Sequence, residues 1–140
     1  MRDGPRCFED FERCIDGFLA RRPAAWPGRR AASLARRAGA CDHLITAALV
    51  HDFAACLGEP APADGLARRS AELLGGVFPA QVLAPLRLVG AAAPVVAAAP
   101  LLAQSRRLRR FIDGAQASAE GALLPWTALR SIARRASLDG

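Results

Sequence analysis

The sequence contains no lysine, asparagine or tyrosine, and it has only two histidines, His43 and His51. Every basic residue is therefore an arginine, which is typical of a very GC-rich bacterial genome, where codon usage enriches arginine. For that reason the net charge of +6 is weak evidence for a polyanionic partner. The arginine pairs are spread along the chain without interleaved aromatic residues for base stacking, so we expect solvated helix faces and no nucleic-acid partner.

Long apolar runs and paired cysteines are also scarce. The four cysteines form no CxxC pair and no secretory leader precedes them, so we expect reduced thiols and a cytoplasmic protein. The longest apolar run, "LVGAAAPVVAAAPLLA" at 88–103, is short for a membrane span and is broken by Pro94 and Pro100. It is interpreted as a core helix and a turn, with no membrane partner.

Alternating strand patterns and repeats are absent, and helical periodicity covers nearly the whole chain. An amphipathic helix is predicted at 6–22, and a second one runs from about Arg29 to Gly39, a residue suited to a left-handed cap. A central helix, apolar on nearly all sides, is predicted from Asp42, as its cap, to Leu57, and it is expected to end at Gly58. The other predicted helices cover 66–78, 79–93 with a kink or restart at Pro85, 104–112 and 125–136. At 140 residues, the prediction is one all-α domain of six or seven helices.

The central helix carries the clearest candidate site. In "AALVHDF", at 47–53, His51 and Asp52 interrupt an apolar helix side by side. Adjacent side chains on a helix diverge by roughly 100°, yet both can reach metal ions in a groove between helices. The pair is therefore a candidate for metal binding or for acid-base chemistry.

With "AGACDHLI" before it, this motif resembles the HD-domain superfamily of helical metal-dependent proteins, nearest its small di-iron oxygenases of the phosphonate-cleaving type, related to inositol oxygenase. The similarity extends over 32–53, 70–94 and 128–136. It implies one HD-like bundle over 1–140, with an amino-terminal amphipathic helix and loop at 1–26 and the HD-like core at 27–136.

The resemblance also shows which metal ligands are missing. Histidine and acidic residues of the family pattern are replaced here at five positions, which hold Pro27, Leu66, Ala67, Val89 and Ala133. A loop histidine that often follows the motif is Ala55. Only His51 and Asp52 remain, and two ligands are too few for a usual divalent site. We therefore expect a degenerate member with no catalytic metal and no cofactor.

Other residues offer two further chemical options near the pair. A zinc site is conceivable from His51, Asp52 and Cys56, with Asp64 and Glu72 after the following loop. A Cys56 nucleophile with His51 as its base is poorly placed, because residues five apart on a helix do not face each other.

If the carboxylate is a structural remnant, it needs donors or a counter-charge in the core. Arg87, just before the replaced histidine position, and Arg130, on the last helix, are the candidates in the sequence. We therefore expect Asp52 to be largely buried and paired either with an arginine or with backbone donors.

Three functions remain open. The first is a pseudoenzyme that acts as a binding or scaffold partner in a bacterial, for example biosynthetic, pathway, through a protein partner or as a homo-oligomer. The alternative is a metal-independent lyase, isomerase or cyclase, or a binder of a hydrophobic small molecule, in which His51 and Asp52 form an acid-base pair and Phe53, Arg87, Trp126 and Arg130 contact the ligand. The third is an HD-type oxygenase or phosphohydrolase completed by a partner chain.

Overall fold

A computed structural model describes residues 4–21, 26–59, 63–89, 97–117 and 123–140. These residues form helices and no strand, which confirms the predicted all-α bundle. In chain order the helices are α1 (Phe8–Arg21), α2 (Pro27–Arg37), α3 (Asp42–Val50), α4 (Phe53–Cys56), α5 (Ala63–Leu73), α6 (Ala80–Val89), α7 (Ala99–Ala117) and α8 (Trp126–Ala136).

All of these helices contribute to one hydrophobic core. The apolar stripe of the amino-terminal helix, predicted from its three-and-four spacing, is buried on this core. Phe8 packs edge-on against Phe78, with ring centroids 6.4 Å apart, and Phe11 lies 5.4 Å from the ring of Phe53. Helix α1 is thus integral to the bundle.

Helix α3 is the centre of the bundle, as the sequence predicts. Its residues from Leu44 to Val50 are all buried, and α2, α6, α7 and α8 pack around it. A helix that is apolar on all sides needs neighbours on all sides, which accounts for this central position.

The segment predicted as one helix from Asp42 to Leu57 is interrupted after Val50. His51 keeps helical backbone angles, whereas Asp52, with φ −110° and ψ 19°, leaves the helical region before α4 begins. Ser70 of α5 bridges the interruption: its hydroxyl accepts the Ala54 N–H at 3.0 Å and donates to the His51 carbonyl at 3.2 Å. The side chain of another helix therefore satisfies backbone groups that the break releases.

The helix ends agree in part with the predictions. Gly39 and Gly58 adopt positive φ angles of 75° and 78°, the left-handed conformation expected after α2 and α4. The prediction that Asp42 caps α3 is wrong, because Cys41 is the N-cap residue and makes no side-chain cap. Instead, an Asp42 carboxylate oxygen accepts a hydrogen bond from Arg135 Nε at 3.0 Å, which ties α3 to α8.

The apolar run at 88–103 falls only partly within the described residues. Helix α6 continues through the buried Pro85 to Val89 without a restart, and α7 begins at Ala99, five residues earlier than the predicted start. Residues 90–96 lie outside the described part of the chain. Over the described ranges, no helix combines the length and the apolar character that crossing a bilayer requires.

Candidate functional site

Asp52 is buried, as expected, and its hydrogen bonds go to the beginning of α2. One carboxylate oxygen accepts the indole Nε1–H of Trp26 at 3.3 Å, and the other accepts the backbone N–H of Gly28 at 3.2 Å. The start of a helix exposes unpaired N–H groups and carries partial positive charge, so a carboxylate is favoured there. The Asp52 side chain thus fastens α2 to the interruption between α3 and α4.

The close approach of α2 depends on the absence of a side chain at Gly28. A Cβ atom added there would collide with the Leu49 carbonyl oxygen and would lie 2.7 Å from both Asp52 Oδ1 and Trp26 Nε1. Glycine is therefore required at this position by contact with the neighbouring backbone.

Burial dominates the electrostatics of Asp52. Loss of hydration raises the pKa of its carboxyl group above the ordinary value of 3.8, although the neighbouring His51 and the Gly28 and Trp26 donors act in the opposite direction. Burial also raises the pKa of the Cys56 thiol, and the nearby Asp52 charge adds to this rise. Cys56 therefore stays a protonated, buried thiol, which disfavours both a nucleophilic and a metal-binding role for it.

The His51 ring is held by its own helix. Its Nδ1 lies 2.7 Å from the Ala48 carbonyl oxygen, and because a carbonyl only accepts hydrogen bonds, Nδ1 carries a proton. In the neutral ring, Nε2 is then the acceptor available to a ligand. Asp52 does not orient the His51 ring, because its carboxylate oxygens accept hydrogen bonds from Trp26 and Gly28. The structure therefore does not show the predicted acid-base pairing between the two side chains.

A cavity of about 150 Å³ lies beside His51, where α5, α6 and α7 meet. Its apolar wall consists of Leu66, Ala67, Val89 and Ile112. Its polar lining consists of His51, Arg109 and Gln116. Since Arg109 and Gln116 are exposed and His51 is buried, the two α7 side chains mark the mouth of the cavity and His51 marks its inner end.

The side chains of His51 and Asp52 therefore lie in different surroundings. Leu66, Ala67 and Val89, the positions where the family resemblance implied missing ligands, surround the cavity at His51. Pro27, a further such position, lies between the two residues that donate to Asp52. Ala133 is buried in α8 and is not among the residues that line this cavity.

The two aromatic residues predicted to contact a ligand belong to other parts of the molecule. Phe53 is buried in the core against Phe11. Trp126 packs on Trp26, with ring centroids 5.5 Å apart, and donates its indole N–H to Asp16 at 3.1 Å. Neither is among the lining residues, because both point from their helices into the aromatic core on the α1 side.

Neither arginine named as a candidate partner pairs with Asp52, whereas a backbone donor, the alternative expectation, is present at Gly28. Arg87 is exposed on α6, and Arg130 of α8 pairs with Glu12 at 3.6 Å. In the described chain, Asp52 receives its hydrogen bonds from an indole and a backbone N–H instead. These two hydrogen bonds offset part of the desolvation cost of the buried carboxylate without a second charged group.

The donor set does not fit the metal that the family resemblance implies. No three side chains of His, Cys, Asp or Glu come together in the parts of the chain that the structure describes. Both Asp52 oxygens already accept hydrogen bonds from N–H groups, and Glu72, named for a possible zinc site, pairs with Arg69 at 3.2 Å. The Asp64 side chain lies outside the described residues.

Four residues of the site were not singled out from the sequence. Trp26 and Gly28 were classed as part of a loop and a helix start, although a buried carboxylate requires donors of this kind nearby. Arg109 and Gln116 lie seven residues apart, a spacing that puts them on one face of a helix. That spacing was visible in the sequence, but nothing local shows which groove the face borders.

No protein-family model, curated protein or solved structure matches this chain. The function is therefore inferred from the geometry of the site.

Proposed function

We propose that the protein binds a small organic molecule in the cavity beside His51 and that it does so without a metal ion. The observation that carries the proposal is the open space of about 150 Å³ between His51 and the wall formed by Leu66, Ala67 and Val89. Had these side chains filled the space, a purely structural scaffold would have been the better interpretation. A cavity whose lining combines apolar side chains with a few polar groups is the usual form of a small-molecule site.

The state of the His51 ring supports this role. Because Nδ1 is engaged by the Ala48 carbonyl, a neutral ring presents Nε2 as a hydrogen-bond or proton acceptor. A ligand hydroxyl that reaches the inner end of the cavity would donate to this nitrogen. His51 acts here alone, and Asp52 contributes by holding α2 in place.

The size of the cavity limits the ligand. Sites for drug-sized molecules and cofactors usually measure roughly 300–1,000 Å³, whereas an engineered apolar cavity of about 150 Å³ takes up benzene. A nucleotide or flavin is therefore too large to be enclosed. Phenol, a benzene ring with one hydroxyl group, matches both the volume and the acceptor.

Phenol binding to purified protein, followed by isothermal titration calorimetry, tests the proposal. We expect saturable binding to the wild type and loss of binding in Leu66→Trp, because the larger side chain occupies the cavity. Leu138→Trp is the matched control, since Leu138 is 58% exposed and is not a lining residue; this variant should bind phenol as the wild type does.

Val89→Phe provides a second way of filling the cavity if Leu66→Trp does not fold, and thermal unfolding checks each variant. Absence of phenol binding to the wild type would overturn the proposal and favour the scaffold interpretation. Undiminished binding to a folded cavity-filling variant would also overturn it.

A further inference from the structure

We infer that the natural ligand is a small carboxylic acid whose apolar body carries a hydroxyl group at the end opposite the carboxylate. This inference rests on the proposed function, since it names the ligand class of the same cavity. The cavity carries polar groups at two ends, one at Arg109 and one at His51.

Arg109 is held at the mouth of the cavity by a neighbouring helix. Its Nη2 donates to the Val89 carbonyl at 2.8 Å, across from α7 to the end of α6. One edge of the guanidinium group is thereby fixed, and the other N–H donors stay available. A guanidinium positioned in this way suits a planar anion such as a carboxylate.

The charge of Arg109 is only weakly compensated. Asp113 lies 4.0 Å from Nη1, and the two side chains are 49% and 62% exposed, so this pair contributes little. No carboxylate is among the residues found to line the cavity, and Gln116, two turns further along α7, adds an amide at the same mouth. The cavity entrance therefore favours an anion over a cation.

The apolar residues of the cavity lining limit the chemistry of the rest of the ligand. The side chains of Leu66, Ala67, Val89 and Ile112 add apolar contacts to the polar groups of the lining, which fits a hydrocarbon body of about the size of a benzene ring. At the inner end, a neutral His51 ring leaves Nε2 as the acceptor for a ligand, because Nδ1 is engaged by the Ala48 carbonyl. Since Arg109 is the one arginine among the described lining residues, a monoanionic carboxylate matches the site better than a dianionic phosphate group.

The test compares 4-hydroxybenzoate with its neutral analogue 4-hydroxybenzyl alcohol by calorimetry. We expect the carboxylate to bind about tenfold more tightly, which corresponds to about 1.4 kcal/mol. Arg109→Gln should abolish this preference. Arg110→Gln, which removes the adjacent exposed arginine outside the lining, is the matched control and should retain the preference.

The outcomes separate this inference from the proposed function. If phenol binds but the carboxylate has no advantage, the ligand class is wrong and the cavity function stands. Equal losses in Arg109→Gln and Arg110→Gln would show general charge attraction and also overturn the inference. Tighter binding of 4-hydroxyphenylphosphonate than of 4-hydroxybenzoate would replace the carboxylate assignment, whereas failure of phenol to bind would remove the proposed function itself.

Discussion

His51 and Asp52 are neighbours in the chain, but they act on opposite sides of a helix interruption. Asp52 accepts hydrogen bonds from Trp26 and Gly28, while His51 lines the cavity at α5, α6 and α7. Because the backbone leaves the helical path at Asp52, the two side chains diverge, so that one supports a structural contact and the other lines the cavity. We interpret Asp52 as a positioning residue for α2.

The burial of Asp52 predicts an unusual pH dependence of stability. Its pKa is raised in the folded protein above 3.8, so the folded chain holds this proton more tightly than the unfolded chain. The contribution of Asp52 to the free energy of unfolding is therefore highest below the unfolded pKa and falls as pH rises through the folded pKa.

Asp52→Asn removes this titration. The variant loses about 1 to 3 kcal/mol at low pH, because one of the two N–H donors then faces the amide group, and this deficit relative to the wild type should shrink as the pH rises above about 4. Chemical denaturation of both proteins over a pH series measures the difference. A deficit that grows with pH would show that the folded pKa is lowered instead.

Gly28 gives a second prediction at a single residue. Gly28→Ala should lower the free energy of unfolding by about 3 kcal/mol, because the added methyl group collides with the Leu49 carbonyl and crowds Asp52. Gly75→Ala is the matched control, since its Cβ atom would lie 3.8 Å from the Glu72 carbonyl oxygen, an ordinary van der Waals contact. Urea denaturation compares the two, and equal effects would contradict the close approach described for Gly28.

At the level of secondary structure, Ser70 of α5 stabilises the interruption between α3 and α4. Ser70→Ala leaves the buried Ala54 N–H without its acceptor, so it should cost about 1 to 3 kcal/mol of stability. Ser131→Ala is the control: it removes an exposed α8 hydroxyl that donates a hydrogen bond to the Thr127 carbonyl of the same helix. This variant should change the free energy of unfolding by less than about 0.5 kcal/mol. Thermal denaturation measures both; a neutral Ser70→Ala variant would mean that the break does not need this bridge.

The helices themselves were largely predictable from local sequence. Apolar spacing located α1 and the central α3, and Gly39 and Gly58 marked the ends of α2 and α4 as expected. The interruption at Asp52 was not predictable, because its partners Gly28 and Ser70 are distant in the sequence. Local periodicity describes which face is apolar, but a break stabilised by other helices has no local pattern.

For the molecule as a whole, the sequence pointed to residues of one cavity wall but not to the residues at the cavity mouth. The family resemblance implied that Leu66 and Val89 occupy lost ligand positions near His51, and both border the cavity. Arg109 and Gln116 come from α7, whose packing against α6 is a tertiary property. The charged entrance therefore became visible only once the helices were assembled into a bundle.

The central claim is that His51 faces a ligand through Nε2 while Asp52 serves the fold. Because the chain has only two histidines, NMR of protein labelled with ¹⁵N in the histidine rings gives two sets of signals, which His43→Gln assigns. Spectra are recorded with and without phenol, at a pH above the ordinary range of histidine pKa values. The account predicts that His51 carries its proton on Nδ1 and that phenol shifts the His51 Nε2 resonance but leaves His43 unchanged; a His51 protonated on Nε2, or unaffected by phenol, would contradict it.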